Sequence, residues 1–416
     1  MQKKLKVLVL SDHALSTSGV GTQTRHLLNG LIEKNRWTFR QFGAALKHSD
    51  YNTVVVNEDL IIKPIDGFGN PDMLRVALAT EKPDILFIFT DPRFFVWLFE
   101  MEEEIHQVCP IVWWHVWDNY PYPEYNAPFY EATDLINCHS HLTYTMLKDR
   151  YPNKVNWIPH SLPENIFFPI DDKQREEYKT QLLGNDRKDH FVGIWVNRNA
   201  KRKRSNDVLE SWSLFLKDLE RLKGHKKATL IMHTEPTDSE GPNLYATAEM
   251  LGIENSVFFS KDRLEFEKMN VLYNISDFCL NMSYAEGFGL STLESMMTGT
   301  PIIAAKTGGL TKQVCNEVEG GDNGVGLDIE MRTLVGSQNV PYIYEDYVSN
   351  QSVADGMMKI FSLSNKAKRK LKQKCLRYAK STFSHQKTVD AWDETMIKTL
   401  QDFKLKKQSW EKIEII

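Results

Sequence analysis

What the 416-residue chain has little of narrows its class at once. It carries only five cysteines, Cys109, Cys138, Cys279, Cys315 and Cys375. The count is odd, no two form a C-x-x-C pair, and no histidine spacing accompanies them, so neither a disulfide framework nor a zinc site is expected. They read as reduced, mostly buried thiols of a cytoplasmic protein. No stretch reaches the ~18 uninterrupted apolar residues of a membrane span. The start, MQKKLKVLVLSD, has an apolar run of only four residues before Ser11 and Asp12, too short for the core of a secretion signal. Charge of one sign is missing as well. Fifty-one basic against 55 acidic side chains leave a net charge of -4, which gives no field to hold a nucleic acid. With 42% hydrophobic and 25% charged residues the composition is globular, at a length of roughly two domains. Fibrous and wholly disordered classes are excluded.

What is present is a repeated α/β pattern. Short Val/Ile/Leu-rich runs recur at 6–10, 84–89, 110–117, 134–138 and 155–159, separated by amphipathic stretches such as the helical pattern at 20–33. Runs of that kind predict parallel strands covered by helices on both faces, a Rossmann-like domain. After Pro169 the polar segment DDKQREEYKTQLLGNDRKDH interrupts the pattern and predicts the boundary. A second series follows at 191–196, 228–233, 256–259, 277–282 and 301–305, a second Rossmann-like domain, with two further helical patterns at 366–380 and 386–403. Two such domains facing each other predict a ligand between them, at the carboxyl ends of both sheets.

Four constellations carry chemistry. The turn after the first strand, with TSGVGTQ opening a helix, holds Gly19 and Gly21, which let backbone approach an anion at a helix N-terminus. It lacks the third glycine of a dinucleotide fingerprint, so a plain glycine-started helix fits equally. The cluster NRNAKRKR ends the first strand of the second series. Arg198 and Lys203 are predicted to face a diphosphate there, Arg202 and Arg204 to be surface. The segment from Asn281 to Gly309 is the most specific, with Glu286 and Glu294 separated by seven residues and Gly287 and Gly289 freeing backbone N–H groups beside a helix start. Last comes WWHVWDNYPYPEY, where His115 and Asp118 could meet an acceptor, or Trp113, Trp117 and His115 could be core. His139 and His141 read as structural.

With its EGFG loop, its Glu, seven residues, Glu motif, the Gly299-x-Pro301 turn and the Gly308-Gly309 pair, the chain resembles the retaining glycosyltransferases of the GT-B fold, family 4. WIPHSLPENIFFP, the SGVGT loop, the Arg198 to Lys203 cluster and SVFFSKDRLEFEKMNVLYNISDFCLN extend the likeness over nearly the whole chain. Two departures stand out: His160-Ser161 replaces a usual Asn-Gly, and LTKQV follows the Gly-Gly pair where an acidic residue is usual.

The resemblance implies an α/β, GT-B chain with the last helix crossing back: residues 1–168 plus 386–416 as the acceptor-side domain and 169–385 as the nucleotide-sugar domain. It implies that Glu286 bonds the donor sugar and Glu294 the ribose. Arg198 and Lys203 would bind the diphosphate, His115 would lie near the transfer centre, and the backbone of Gly287, Phe288 and Gly289 would support sugar and phosphate. The activity implied is transfer from a nucleotide sugar, a co-substrate rather than a cofactor, to a hydroxyl of a saccharide, lipid-linked or protein acceptor. The anomeric configuration is retained and, with no Asp-x-Asp motif, no metal is expected. An epimerase, a phosphorylase or a catalytically silent nucleotide-sugar-binding subunit are the rival readings. The 366–380 segment, with eight basic residues and no acid, reads as a solvated helix face, with peripheral contact to an anionic membrane the sharper alternative.

Overall fold

The computed structural model describes residues 3–46 and 49–411; the end of the expected first domain, 412–416, lies outside them. The chain divides into two compact units. One comprises Met1–Ser161, Gly336–Ile343 and His385–Ile416, the other Leu162–Val335 and Tyr344–Ser384.

Unit 1 is built on strands β1 (Leu5–Asp12), β2 (Trp37–Ala44), β3 (Val54–Asn57), β4 (Leu60–Pro64), β5 (Ile85–Thr90), β6 (Ile111–His115), β7 (Leu135–Cys138) and β8 (Val155–Trp157), in the order β3-β4-β2-β1-β5-β6-β7-β8. All neighbours run parallel except β3, which pairs antiparallel with β4 at the edge. Because β1 lies between β2 and β5, the strand order reverses there, and the carboxyl end of β1 borders the crevice where such sheets take ligands. The Val/Leu run of β1 is buried on both faces, which is why it reads as continuous rather than alternating. Strands β2 to β4 are more polar (WTFRQFGA, VVVN, LIIKP), so no unbroken apolar run announces them.

Unit 2 carries β9 (Phe191–Val196), β10 (Ala228–His233), β11 (Val257–Ser260), β12 (Phe278–Asn281), β13 (Ile302–Ala305) and β14 (Gly324–Leu327), ordered β11-β10-β9-β12-β13-β14 and parallel throughout. Here the order reverses between β9 and β12. The two-stranded pair β15 (Met331–Val335) and β16 (Ile343–Tyr347) follows. Its connecting turn belongs to unit 1, where the Tyr125 hydroxyl donates to the Tyr342 carbonyl at 3.2 Å.

The polar segment after Pro169 is a helix, Asp172–Leu183, capped by Asp171 and stopped at Gly184. Its charges are used in packing: Arg175 bonds the Asn274 carbonyl and Asp277, and Lys179 bonds the His190 carbonyl. The division falls earlier than the expected 168/169, at 161/162, because Phe167 is buried against Phe266 and Tyr273 of unit 2.

The helix Asn365–Thr382 buries Cys375 and Tyr378. Part of its basic side is engaged within unit 2: Lys374 bonds the Gly320 and Asp322 carbonyls, Arg377 pairs with Glu319 and Lys380 with Glu164. Among the described residues no helix is long and apolar enough to cross a membrane. The final helix, His385–Glu411, places Val389, Trp392, Met396 and Leu400 at helical spacing into the core beneath β1 and β5. Trp392 is fully buried against Phe87 and Trp114. Trp392→Ala is therefore expected to cost ~3–5 kcal/mol of unit 1 stability, read as a lowered midpoint in urea unfolding followed by tryptophan fluorescence. A loss below about 1 kcal/mol would mean that the last helix docks without being part of this core.

Candidate active site

The site of unit 2 forms where its strand order reverses. After β9 the chain makes a short 3₁₀ turn, Lys201–Lys203, closed by the Lys203 N–H on the Ala200 carbonyl, and enters the helix Ser205–Lys223 through Arg204. After β12 the loop Ser283–Gly289 rises beside that turn. The Tyr284 N–H donates to the Arg202 carbonyl, and the Arg202 guanidinium to the Ala285 carbonyl at 3.2 Å. These bonds bring Lys203 into direct contact with the Glu286 carboxylate, with Arg202 3.7 Å away.

Both members of the pair are buried, at 8% exposure each. Burial works to raise the Glu286 pKa, but the charges of Lys203 and Arg202 and the bond from Lys203 outweigh it, and the carboxyl lies below its ordinary value. A carboxylate is thus kept ionised in a site largely closed to water. Its desolvation is offset by one close and one more distant cation.

The loop then turns into the helix Leu290–Met297. Gly289 begins that helix with a φ of +89°, a conformation that suits glycine, and no side chain caps it. At Gly309 a Cβ would stand 2.2 Å from the Gly287 carbonyl oxygen, so the second glycine of the Gly308-Gly309 pair is required by close approach to the loop, and the first has a positive φ of +48°. The Phe288 ring is buried against Phe383, which leaves only its backbone for a ligand. One turn into the helix, the Glu294 carboxylate accepts from the Tyr273 hydroxyl at 2.6 Å. Burial pushes its pKa up to about 7, and that single bond only partly opposes the shift.

Other residues depart from the sequence-based expectation. Arg198 is not brought to Glu286; its guanidinium, 58% exposed, lies on Asp238 at 2.8 Å and Glu240 at 3.0 Å. Arg204 is not surface. It is buried, bonds Asp207 and the Val348 carbonyl, and lies over the rings of Tyr284 and Tyr347. Alternate charges of a basic run can face opposite ways in a tight turn, and the sequence does not say which.

In unit 1, His115 is wholly buried at the end of β6, between Trp113 and Tyr130, with Nε2 3.0 Å from the Tyr130 hydroxyl. Burial, with a smaller contribution from His139, pushes its pKa well down, so it is a neutral core histidine in this structure. Trp113 and Trp117 are core as well. His139 bonds the His115 carbonyl and lies 4.7 Å from the His160 ring. In the first loop the Gly21 N–H is spent on Ser18, the cap of the helix Gly19–Glu33, and a Cβ at Gly21 would strike Ser16 and the His13 carbonyl. Gly19 starts that helix. Ser18 also bonds Asp12, whose pKa burial raises.

Unit 2 thus brings a paired carboxylate and an uncapped helix start together at its switch point, where open parallel sheets take ligands. Residues 175–328, within unit 2, match the family described as glycosyl transferases group 1. A relative named D-inositol 3-phosphate glycosyltransferase, from Segniliparus rotundus, is 27% identical over 180 residues, which is 43% of this chain and 37% of that protein. The chain thus spans well under half the length of that relative. Two solved structures share the α/β, GT-B-type fold over nearly the whole chain. The HepE protein of Anabaena in complex with UDP and glucose has a TM-score of 0.69 at 17% identity, covering 95% of this chain and 100% of that one. The sucrose-phosphate synthase of Thermosynechococcus elongatus has a TM-score of 0.68 at 15% identity, covering 98% and 100%.

Two outcomes follow from the two glutamates. Lys203→Met leaves Glu286 enclosed with only the more distant Arg202, and is expected to lower stability by ~3–5 kcal/mol; adding Glu286→Gln should recover most of it. Denaturation of both single variants and the double variant measures the coupling, and strictly additive losses would show that the two side chains are not one unit. Glu294, with its pKa raised from 4.5 to about 7, holds its proton more tightly folded than unfolded. Its contribution to stability is therefore greatest below pH 4.5, is lost as pH rises towards 7, and is flat above. The melting temperature of the native protein should fall relative to Glu294→Gln across that interval, and parallel pH profiles would contradict the raised pKa of this half-buried acid.

Proposed function

We propose that the chain is a glycosyltransferase that moves a sugar from a nucleotide-diphosphate sugar to an acceptor hydroxyl, with retention at the anomeric carbon and without a metal ion. The observation that carries this is the Lys203–Glu286 pair beside the uncapped start of the helix Leu290–Met297, inside a domain of glycosyl transferases group 1. Breaking the bond between sugar and phosphate puts positive character on the anomeric carbon and negative charge on the diphosphate. Lys203, Arg202 and the helix start offer three sources of positive potential for the leaving group. In this reading Arg202, which already stands by Glu286, takes the place first expected of Arg198. Glu286 remains ionised and bonds the sugar hydroxyls, and the leaving phosphate takes the acceptor proton, so no side-chain base is needed.

The donor is proposed to be a uridine diphosphate sugar, because HepE was determined with UDP and with UDP-glucose. The acceptor is proposed to be a saccharide or another hydroxyl-bearing molecule, in line with the relatives named for D-inositol 3-phosphate. Glu294 is proposed to hold the ribose. A diol donating to it favours its ionised form, so nucleotide binding should release a proton near pH 6–7, within the range below its pKa of about 7. The unpaired cysteines suit a cytoplasmic enzyme.

The test incubates the protein with UDP-glucose and a panel of saccharide acceptors, with and without EDTA, and follows UDP release and the anomeric proton coupling of the product by NMR. An α-linked glucoside formed equally in EDTA is expected. An inverted product, dependence on a divalent ion, or an epimerised nucleotide sugar in place of a glycoside would each overturn the corresponding element. Glu286→Gln should depress turnover while leaving UDP affinity intact. Glu294→Gln should weaken UDP itself, as titration calorimetry would read.

A further inference from the structure

The segment LTKQV, which follows the Gly308-Gly309 pair, contains a residue for which neither the motif nor the mechanism above has a use. Gln313 lies in the short helix Leu310–Val314 and is wholly buried. Its side-chain amide donates to two backbone carbonyls of the glycine loop, Phe288 at 2.7 Å and Gly289 at 3.1 Å. Its Oε1 faces the Thr292 hydroxyl at 2.6 Å, and that hydroxyl lies 2.7 Å from the same Gly289 carbonyl. The Gln313 carbonyl in turn accepts from the Asn323 side chain at 2.8 Å. The amide is thus anchored from behind and grips the loop from within.

The consequence lies in peptide geometry. In a planar trans peptide the C=O of one residue and the N–H of the next point in opposite directions. Holding the Phe288 carbonyl inward aims the Gly289 N–H away from Gln313, and holding the Gly289 carbonyl inward aims the Leu290 N–H the same way. The Gly309 N–H does the equivalent at the Glu286 carbonyl, which turns out the Gly287 N–H. None of these three N–H groups has an acceptor among the described residues. Together they form a cradle of aimed donors at a helix N-terminus, the arrangement that binds phosphate oxygens.

We propose that Gln313, steadied by Thr292, is a positioning residue that sets this N–H cradle and thereby the affinity for the diphosphate of the donor. It touches no ligand and acts through the carbonyls of Phe288 and Gly289. An apolar side chain there releases the Phe288 carbonyl and leaves the Gly289 carbonyl only the Thr292 hydroxyl and the Leu293 N–H, so the loop is held less firmly and its donors have to be reordered when a diphosphate binds. The inference rests on the nucleotide-sugar reading of the site.

The experiment compares UDP with uridine, which lacks both phosphates, by titration against the native protein, Gln313→Met and Thr292→Val, with GDP and ADP as further nucleotides. Gln313→Met should raise the Kd for UDP about tenfold or more while leaving uridine within about twofold. Thr292→Val, which removes the steadying hydroxyl but keeps the amide, should shift UDP the same way by less, and both variants should still melt cooperatively. Parallel weakening of UDP and uridine would assign Gln313 to general packing and overturn the proposal, as would unchanged UDP binding. If Gln313→Met does not fold, Thr292→Val alone decides by the same two ligands. A native protein that binds none of UDP, GDP and ADP would defeat the nucleotide-sugar reading itself, and the Gln313 proposal with it; normal native binding with no phosphate-specific loss defeats only the latter.

Discussion

A carboxylate taken out of water must find countercharge, and the organisation of unit 2 around its switch point follows from meeting that need at Glu286. The countercharge comes from another strand's loop, so two segments more than eighty residues apart in sequence, 201–204 and 283–289, have to be locked together. Tyr284 on the Arg202 carbonyl and Arg202 on the Ala285 carbonyl perform the locking. Arg204 then ties the same turn to Asp207 and to the β16 side through Val348 and Tyr347. Removing the carboxylate would take from the buried Lys203 the countercharge it contacts here, so neither partner can be changed without consequence for the other.

The same constraint explains the small residues. A loop packed against its neighbours while its one acid is held down has little room for side chains. Gly309 comes so close to the Gly287 carbonyl that a single methyl group would collide. The pair β15–β16 enters the arrangement through Asp346, whose N–H donates to the Tyr284 carbonyl and whose carboxylate accepts from Thr307. This hairpin thereby braces both the acidic loop and the approach to the Gly-Gly pair, a part that its sequence did not announce.

Legibility differed between fold and site for physical reasons. Strands β9 and β10 are readable to the residue, because parallel strands buried on both faces must be continuous apolar runs. Strands β2, β3 and β4 escape that reading. Edge or mixed strands such as VVVN and LIIKP carry too few consecutive apolar residues to be separated from loop. The helix Asp172–Leu183 was hidden for the opposite reason: its polar composition reads as a linker, yet Arg175 and Lys179 are spent on backbone carbonyls of the unit.

In the site, what was legible was residue type at fixed spacing, and what was not was direction. Glu286, the Gly-Gly pair and Lys203 follow from the motif because the loop and the strand ends alone position them. Arg198, Arg202 and Arg204 look alike in NRNAKRKR, and only the turn at 201–203 and the positive φ of Arg204 sort them into an exposed partner of two acids, a neighbour of Glu286 and a buried strut. His115 illustrates the same limit from the other side. Its place at a strand end suggested an accessible imidazole, but packing between Trp113 and Tyr130 makes it a neutral core group. Gln313 leaves the faintest trace, a polar residue on a short helix that also buries Leu310 and Val314. A buried amide has to find acceptors for its two N–H donors, and those that Gln313 finds are the Phe288 and Gly289 carbonyls of the glycine loop. The bonds that satisfy its burial are the same ones that, in the proposed reading, aim the loop's N–H groups, so one residue without any motif meets both requirements.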